Sequence, residues 1–179
     1  MVHMDVTVTK NQATNDGLDA LIAGGSLVGK IGWTGADIHT NPETGATQQI
    51  ATTALLNEFG YITTTPQGNA ALVPARPFLR NTISRESRNW LNDIMRGGEL
   101  VLDTKIAFSA VLEGVTATAV TNVRTTIRSR VAPPLAPLTL RKRLENSIRR
   151  AGGGISRGTT PLLDTGHMLN SLTNEVIST

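Results

Sequence analysis

The acidic turn Asp164-Thr165-Gly166 comes closer to a catalytic motif than any other part of this sequence. Aspartic proteases use the same three residue types, but they need two such carboxylates that share one proton in an apolar setting. Asp103-Thr104 does not supply the second turn, because a lysine follows it within a helical pattern. We therefore interpret Asp164 as structural, bonding the turn backbone or capping the segment after it. The alternative is a hydrolase built around Asp164.

Other residues that could carry out chemistry are absent or isolated. The chain has no cysteine, which removes disulfides, thiolate metal sites and cysteine nucleophiles. His39 stands in a turn-rich loop with no second histidine or carboxylate at metal-ligand spacing, so we interpret it as a solvated side chain. The glycines at 24–25 and 152–154 lack the spacing of phosphate-binding or dinucleotide-binding loops. The sequence therefore predicts a protein that is not an enzyme and has no catalytic residue, cofactor or metal site.

Length and composition favour one soluble domain over residues 1–179, within which residues 1–25 could form an N-terminal arm. Hydrophobic residues make up 39% but aromatic residues only 3%, so the core must be aliphatic and few side chains can stack on bases. The first ten residues lack the pattern of a signal peptide, and no apolar run is long enough to span a bilayer. The missing cysteines suit a reducing cytoplasm.

Basic residues are concentrated in one part of the chain. Residues 124–157 contain a single acid, Glu145, and more than half of the 17 basic residues, namely Arg124, Arg128, Arg130, Arg141, Lys142, Arg143, Arg149, Arg150 and Arg157. A basic surface attracts phosphate or an acidic partner. The other interpretation is a solvated helix face followed by a flexible basic loop. We take Arg141, Lys142, Arg143, Arg149 and Arg150 as the candidate basic surface.

Periodicity and turn residues predict both helices and strands. Alternating or β-branched patterns predict strands at 4–9, 26–33, 61–65 and 172–177. Helical spacing of apolar residues predicts helices from residue 14 or 15 to Gly24, at 48–59, from 78 to Gly97-Gly98, at 99–130 with a break or kink near Gly114, at 140–148 with Thr139 as its cap, and at 167–171. Loops at 34–47 and 151–160 should be mobile, and the prolines of 131–137 predict an extended crossing segment.

The run Pro74–Arg80 should lead an extended segment into the first long helix. A proline disfavours the helical region for the residue before it, so Val73 and Arg76 should be extended, and Pro77 suits the first position of a helix. Phe78 and Leu79 then begin the buried face. We expect Arg76 and Arg80 to bond carbonyl or carboxylate groups, within the subunit or across an interface.

Four segments occur in a defined order along this chain, and together they resemble a known family. They are Asn-Glu-Phe-Gly at 57–60, Pro-Ala-Arg-Pro-Phe-Leu-Arg at 74–80, Pro-Leu-Ala-Pro-Leu-Thr-Leu-Arg-Lys at 134–142 and Pro-Leu-Leu-Asp-Thr-Gly-His-Met-Leu-Asn-Ser-Leu at 161–172. This set resembles the Mu-like virion morphogenesis proteins and related tail-completion or neck proteins of tailed bacteriophages. The resemblance covers roughly residues 26–178, and residues 1–25 and 34–47 are matched less readily.

The resemblance implies a small α+β protein with a mixed or antiparallel sheet packed against two or three helices and long loops. It implies a subunit of a homo-oligomeric ring, commonly six-fold, that completes or terminates the tail and joins the tail tube to the head-side connector. Its partners would be copies of itself and neighbouring tail-tube, terminator or connector proteins. DNA would pass through the lumen only in transit, no membrane would be involved, and the protein would move from the host cytoplasm into the virion.

The same resemblance marks candidate residues for folding and assembly. They are Glu58, Phe59, Gly60, Pro74, Arg76, Pro77, Phe78, Leu79, Pro134, Thr139, Asp164, Thr165 and Gly166. Two alternatives stay open: a head-side connector ring, either adaptor or stopper, and a non-specific nucleic-acid-binding module that uses the basic stretch.

Overall fold

A computed structural model describes residues 12–33, 37–40, 45–65, 67–103, 106–129, 131–149, 160–163 and 166–178. Within these ranges the chain has an α+β fold. Its elements, in order, are α1 (Gln12–Gly24), β1 (Leu27–Gly32), β2 (Ile38–Thr40), β3 (Thr47–Gln49), α2 (Ile50–Phe59), β4 (Tyr61–Thr64), β5 (Ala70–Val73), α3 (Phe78–Leu102), α4 (Phe108–Arg128), α5 (Pro137–Arg149), α6 (His167–Asn170) and β6 (Thr173–Ser178).

The described strands form three two-stranded sheets. β1 pairs with β6, which joins strands from opposite ends of the sequence. β2 pairs antiparallel with β3, so that His39 lies opposite Gln48. β4 pairs antiparallel with β5, with Ile62 opposite Leu72, and forms a hairpin between α2 and α3.

The chain divides into two compact units, and α3 and α4 each contribute residues to both. Unit 1 comprises Met1–Lys30, Arg88–Thr116 and Glu175–Thr179. Unit 2 comprises Ile31–Ser87 and Ala117–Asn174.

Unit 2 contains a continuous aliphatic core around one aromatic residue. The low aromatic content of the sequence predicted an aliphatic core, and Phe78 is the single fully buried aromatic side chain among the described residues. Trp33 packs against this core, edge to face with Phe78 at a ring separation of 6.0 Å, and donates its indole N–H to the carbonyl of Met168 at 2.7 Å. The buried members are Ile50, Ala54, Phe78, Val120, Val123, Ile127, Val131, Leu162, Met168, Leu169 and Leu172.

Unit 1 has helices that meet at glycines. A Cβ atom added at Gly17 would collide with the backbone of Leu102, and one at Gly97 would collide with the side chain of Val111. Such contacts require a residue without a side chain, because backbone and buried branched groups cannot move away cheaply. Val101, Val111 and Leu112 are the buried large aliphatic residues described in this unit.

The two long helices differ from the sequence prediction in their boundaries. α3 continues through Gly97-Gly98 to Leu102, and residues 99–102 therefore end α3 instead of beginning α4. The prediction failed because Gly97 serves helix packing and not helix termination. α4 passes through Gly114 without a break, and several of its threonines bond the carbonyl four residues earlier, including Thr116, Thr121 and Thr125. These bonds satisfy hydroxyl groups that would otherwise compete with the helix.

Most shorter elements agree with the predictions to within a few residues, but β5 (Ala70–Val73) was not predicted as a strand, and two further predictions need correction. Thr139 is an exposed residue inside α5 and does not cap it, because the helix begins at Pro137 and the amide of Leu140 bonds Ala136 O. The predicted loop 34–47 contains β2 and the start of β3 where it is described. The predicted strand at 4–9 and most of the loop 151–160 lie outside the described residues. No helix in the described ranges has the length and apolarity needed to cross a bilayer.

Candidate functional site

The junction between α2 and α3 is organised by the carboxylate of Glu58. This side chain is nearly buried, with the residue 4% exposed. It accepts hydrogen bonds from the backbone amides of Leu79 and Arg80, at 2.9 and 3.1 Å. These amides belong to the first turn of α3, where they have no partner within the helix, and α3 has no acidic residue of its own there. Glu58 therefore caps α3 from the end of α2 and places a negative charge at its positive pole.

Arg80, in the first turn of α3, in turn bonds the C-terminal end of α2. Its Nε donates to Glu58 Oε1 at 2.8 Å, and its Nη2 donates to the backbone carbonyl of Glu58 at 2.9 Å. The guanidinium also lies over the ring of Phe59, 4.7 Å from its centroid. A cation at the C-terminus of α2 is favoured by the helix dipole. The two side chains thus bond two amides in the first turn of α3 and one carbonyl at the end of α2.

Gly60 ends α2 in a conformation that side chains disfavour. Its φ is 77°, and an added Cβ would lie 2.7 Å from the amide nitrogen of Ala75 and 2.8 Å from the carbonyl oxygen of Val73. The amide of Arg76 donates to the carbonyl of Asn57 at 2.8 Å. The base of the β4–β5 hairpin is therefore held against the end of α2, which explains glycine at this position.

Arg76 links this junction to the proline-rich crossing. The residue is 4% exposed, and its Nε and Nη2 donate to the carbonyls of Pro133 and Pro134 at 3.0 and 3.3 Å. Burial lowers the pKa of Arg76 below its ordinary value, and the positive charge of Arg143 lowers it further, whereas Tyr61 acts in the opposite direction. An arginine titrates far above neutral pH, so Arg76 remains a cation. The carbonyl dipoles of Pro133 and Pro134 stabilise its charge.

Phe78 and Leu79 begin the buried face of α3, as the sequence predicted. Phe78 is 1% exposed and Leu79 is partly buried against the same core. Pro77 precedes the helix instead of occupying its first position, and its carbonyl accepts the amide of Asn81. The expected bonds of Arg76 and Arg80 are both found within the chain.

An apolar cleft of about 230 Å³ opens beside this junction. Its walls include Leu55 and Phe59, which lie one turn apart on α2 and are both exposed. The sequence analysis marked Phe59 but missed the cleft, although the spacing of Leu55 and Phe59 was a signal for an apolar ridge. The lining residues are Trp33, Ala51, Ala54, Leu55, Glu58, Phe59, Phe78, Leu79 and Arg80.

The candidate basic surface is divided by the fold. Arg143 turns inward and donates to the carbonyls of Thr160, Pro161 and Leu163 at 3.0 to 3.5 Å, so its assignment to a free surface was wrong. Arg141 is exposed and pairs with Glu145 one turn away, at 3.3 Å. Lys142 is exposed. The side chain of Arg149, and the whole of Arg150, lie outside the described part of the chain.

Arg124, another member of the basic stretch, also serves the fold. Its Nε and Nη2 donate to the carbonyls of Leu169 and Leu172 at 3.3 and 2.7 Å. It thereby fixes the turn between α6 and β6. Arg124 and Arg143 therefore show that part of the basic stretch bonds backbone carbonyls inside unit 2.

The motif at 161–172 is described only in part. Asp164 and Thr165 lie outside the described residues, so their predicted role stays a prediction. Gly166 has a left-handed backbone with φ of 81° and accepts the amides of Leu169 and Asn170 at the start of α6. Among the remaining motif residues, Pro74 is exposed, and Pro134 offers its carbonyl to Arg76.

His39 has a neighbour that sequence spacing did not reveal. Its ring lies 4.5 Å from that of His167, at an angle of 38°. The two residues are far apart in the sequence, which explains why His39 was interpreted as a lone side chain. Three or more histidine, aspartate or glutamate side chains placed to hold a metal ion do not occur within the described ranges.

The arrangement joins α2 to α3 and leaves an apolar cleft beside them. The titratable groups of the junction are engaged in capping, and the adjoining cleft is apolar. Comparisons of this chain with family models, curated proteins and solved structures return no match.

Proposed function

We propose that this chain is a structural virion protein of the neck of a tailed bacteriophage. In this proposal it is a tail-completion or tail-terminator subunit, forms a homo-oligomeric ring, commonly six-fold in the family that it resembles, and joins the tail tube to the head-side connector. The protein would assemble in the host cytoplasm and remain in the finished particle.

The observation that carries the proposal is the convergence of three of the four family-like segments on one junction. The segment 57–60 supplies Glu58 and Gly60, the segment 74–80 supplies Arg76 and Arg80, and Pro134 accepts a bond from Arg76. Residues scattered over nearly 80 positions therefore work as one structural unit. A chance likeness of sequence fragments would not require them to meet, so this convergence supports the resemblance as a property of the fold.

The exposed apolar side chains support an assembly role. Sixteen large hydrophobic residues are exposed among those described, in both units. Single exposed apolar residues are normal, but α2, α3 and the β4–β5 hairpin each carry at least two, such as Leu91 and Met95 one turn apart on α3. Where such residues form a contiguous patch, the patch is typical of a protein interface. A ring subunit would cover them with neighbouring copies or with adjacent neck proteins.

A head-side connector ring, adaptor or stopper, is the alternative closest to this proposal, since it would use the same surfaces. A nucleic-acid-binding module is a weaker alternative. Its support is the exposure of Arg141 and Lys142, but Arg124 and Arg143 are committed to carbonyl groups within the fold. We prefer acidic patches on neighbouring proteins as partners of the remaining basic residues.

Purified particles test the proposal directly. Mass spectrometry of virions made by a phage that carries this gene should detect the chain in a copy number expected of one ring, and electron microscopy should place it in the neck. Loss of the gene should leave heads and tails that do not join. Absence of the chain from purified virions would refute the proposal. A steep salt dependence of DNA binding by the isolated protein would favour the nucleic-acid alternative instead.

A further inference from the structure

We propose that the apolar cleft beside α2 receives the β4–β5 hairpin of a second copy of this chain, with Ile62 and Leu72 as the inserted side chains. This inference rests on the proposed ring, and it names the surfaces through which neighbouring copies would touch. The cleft is the one between Leu55, Phe59 and Leu79 described above.

The hairpin presents a single apolar knob. Ile62 and Leu72 lie directly opposite each other in the antiparallel register, so their side chains emerge on the same face. They are 74% and 75% exposed, more than any other large hydrophobic residue described. A pair of this kind gains the free energy of apolar burial only when a partner covers it.

The hairpin also lacks the charged residues that keep many sheet edges monomeric. Between Gly60 and Arg76 the sequence contains no charged residue. Exposed edge strands of soluble proteins usually carry lysines or other charges that oppose association. β4 and β5 form only a two-stranded sheet within the described chain, and such a sheet is marginally stable without further packing. Docking would supply that packing without the cost of burying a charge.

The cleft matches this knob in chemistry and size. Its lining is almost wholly apolar, and the charges at its rim, Glu58 and Arg80, already neutralise each other. A cavity of about 150 Å³ can hold a benzene molecule. The volume of about 230 Å³ is therefore sufficient to admit at least one of the two branched side chains, with the other against the open mouth of the cleft.

A second copy is the appropriate occupant, because Ile62 and Leu72 of the same chain are exposed and do not line the cleft. Gly60 approaches Val73 and Ala75 closely, and the amide of Arg76 bonds Asn57, so the hairpin base is fixed to the end of α2. A knob and a hole at different places on one chain give a head-to-tail contact, which closes into a ring when the rotation permits. The contact is therefore of the head-to-tail type on which a ring subunit depends.

Cysteine cross-linking of the full-length chain tests this contact, since the natural sequence contains no cysteine. We would mix one preparation carrying Leu55→Cys with another carrying Ile62→Cys and add a short bismaleimide reagent. The expected product is a dimer on a denaturing gel, and a chain carrying both substitutions should give a ladder of multimers. Leu138→Cys replaces Ile62→Cys in the control mixture, because Leu138 is a similarly exposed apolar residue on α5.

A second measurement uses association without cross-linking. Leu72→Asp should raise the protein concentration needed for half-maximal assembly by roughly tenfold or more, because it places a charge in an apolar contact. Leu138→Asp should change that concentration by less than about twofold. Thermal unfolding should show that both variants remain folded, since both positions are exposed.

The outcomes separate this inference from the proposed function. If the chain forms oligomers but the mixture of Leu55→Cys and Ile62→Cys yields no more product than the control, the contact is refuted and the ring proposal stands. If the chain stays monomeric at every concentration, self-association through this contact is refuted as well. The proposed function is judged separately, by the presence of the chain in purified virions.

Discussion

The packing inside unit 1 depends on other kinds of contact than the packing inside unit 2. In unit 2 an aliphatic core surrounds Phe78, and the surrounding loops are fixed by buried or partly buried charges that bond backbone groups, as at Glu58, Arg76 and Arg124. In unit 1 the packing depends on helices that approach at glycines, such as Gly17 and Gly97. Because the two units depend on different residues for their packing, different substitutions should destabilise them.

The difference also bears on where partners can bind. In unit 2 the bonds of Glu58 and Arg80 join α2 to α3 beside the cleft, at the proposed docking site. Unit 1 leaves apolar side chains such as Leu18, Ile22 and Met95 exposed on its helices. We therefore expect both units to offer apolar surfaces to partners, and unit 2, which has more buried core residues among those described, to determine most of the stability of the chain.

The largest loss of stability is expected from Phe78→Ala. Removing this ring from a core where it is 1% exposed should lower the free energy of unfolding by about 3 to 5 kcal/mol. Urea denaturation of the purified protein measures the change. Phe59→Ala is the matched control, since its ring is exposed, and should cost less than about 1 kcal/mol. Equal losses for the two variants would mean that Phe78 is not the anchor of unit 2.

Glu58→Ala should produce the next largest loss. It removes the acceptor of two amides in the first turn of α3 and leaves Arg80 without its carboxylate. We expect a decrease of about 2 to 3 kcal/mol in the free energy of unfolding. Glu145→Ala, which breaks an exposed pair with Arg141, should cost less than about 0.5 kcal/mol. A loss at Glu58 as small as this control would refute its role in capping α3.

The adjacent glycines of α3 test the packing of unit 1. Gly97→Ala should lower the free energy of unfolding by about 1 to 3 kcal/mol, because the new methyl group meets Val111. Gly98→Ala has open space and should raise stability by about 0.5 to 1 kcal/mol through helix propensity. In the double variant with Gly97→Ala and Val111→Ala, the decrease in the free energy of unfolding should be smaller than the sum of the two single decreases, because the smaller side chain at position 111 relieves the collision. Stabilisation by both alanines would show that the helices do not meet at Gly97.

These contrasts indicate what the sequence could and could not predict. Local patterns predicted a mixture of helices and strands, including β4, and the extended lead into α3, because turn residues and apolar periodicity act over a few positions. They did not predict β5, so the β4–β5 hairpin was missed. Gly97-Gly98 was misread as a helix end, since a glycine required for packing looks the same in sequence as one required for a C-cap. The pairing of His39 with His167 depends on a tertiary contact, for which no local signal exists. The cleft beside α2 also needs tertiary contacts, and the spacing of Leu55 and Phe59 signalled only one of its walls.

The smallest effects are expected among the arginines of α5, and they decide how the basic stretch should be interpreted. Arg143→Ala removes bonds to the carbonyls of Thr160, Pro161 and Leu163, so we expect a loss of about 1 to 2 kcal/mol in the free energy of unfolding. Arg141→Ala removes an exposed pair and should cost less than about 0.5 kcal/mol. Urea denaturation in low and high salt would compare them. Equal, salt-screened effects would mean that Arg143 lies on a solvated face after all, whereas the expected difference restricts any basic docking surface of α5 to residues such as Arg141 and Lys142.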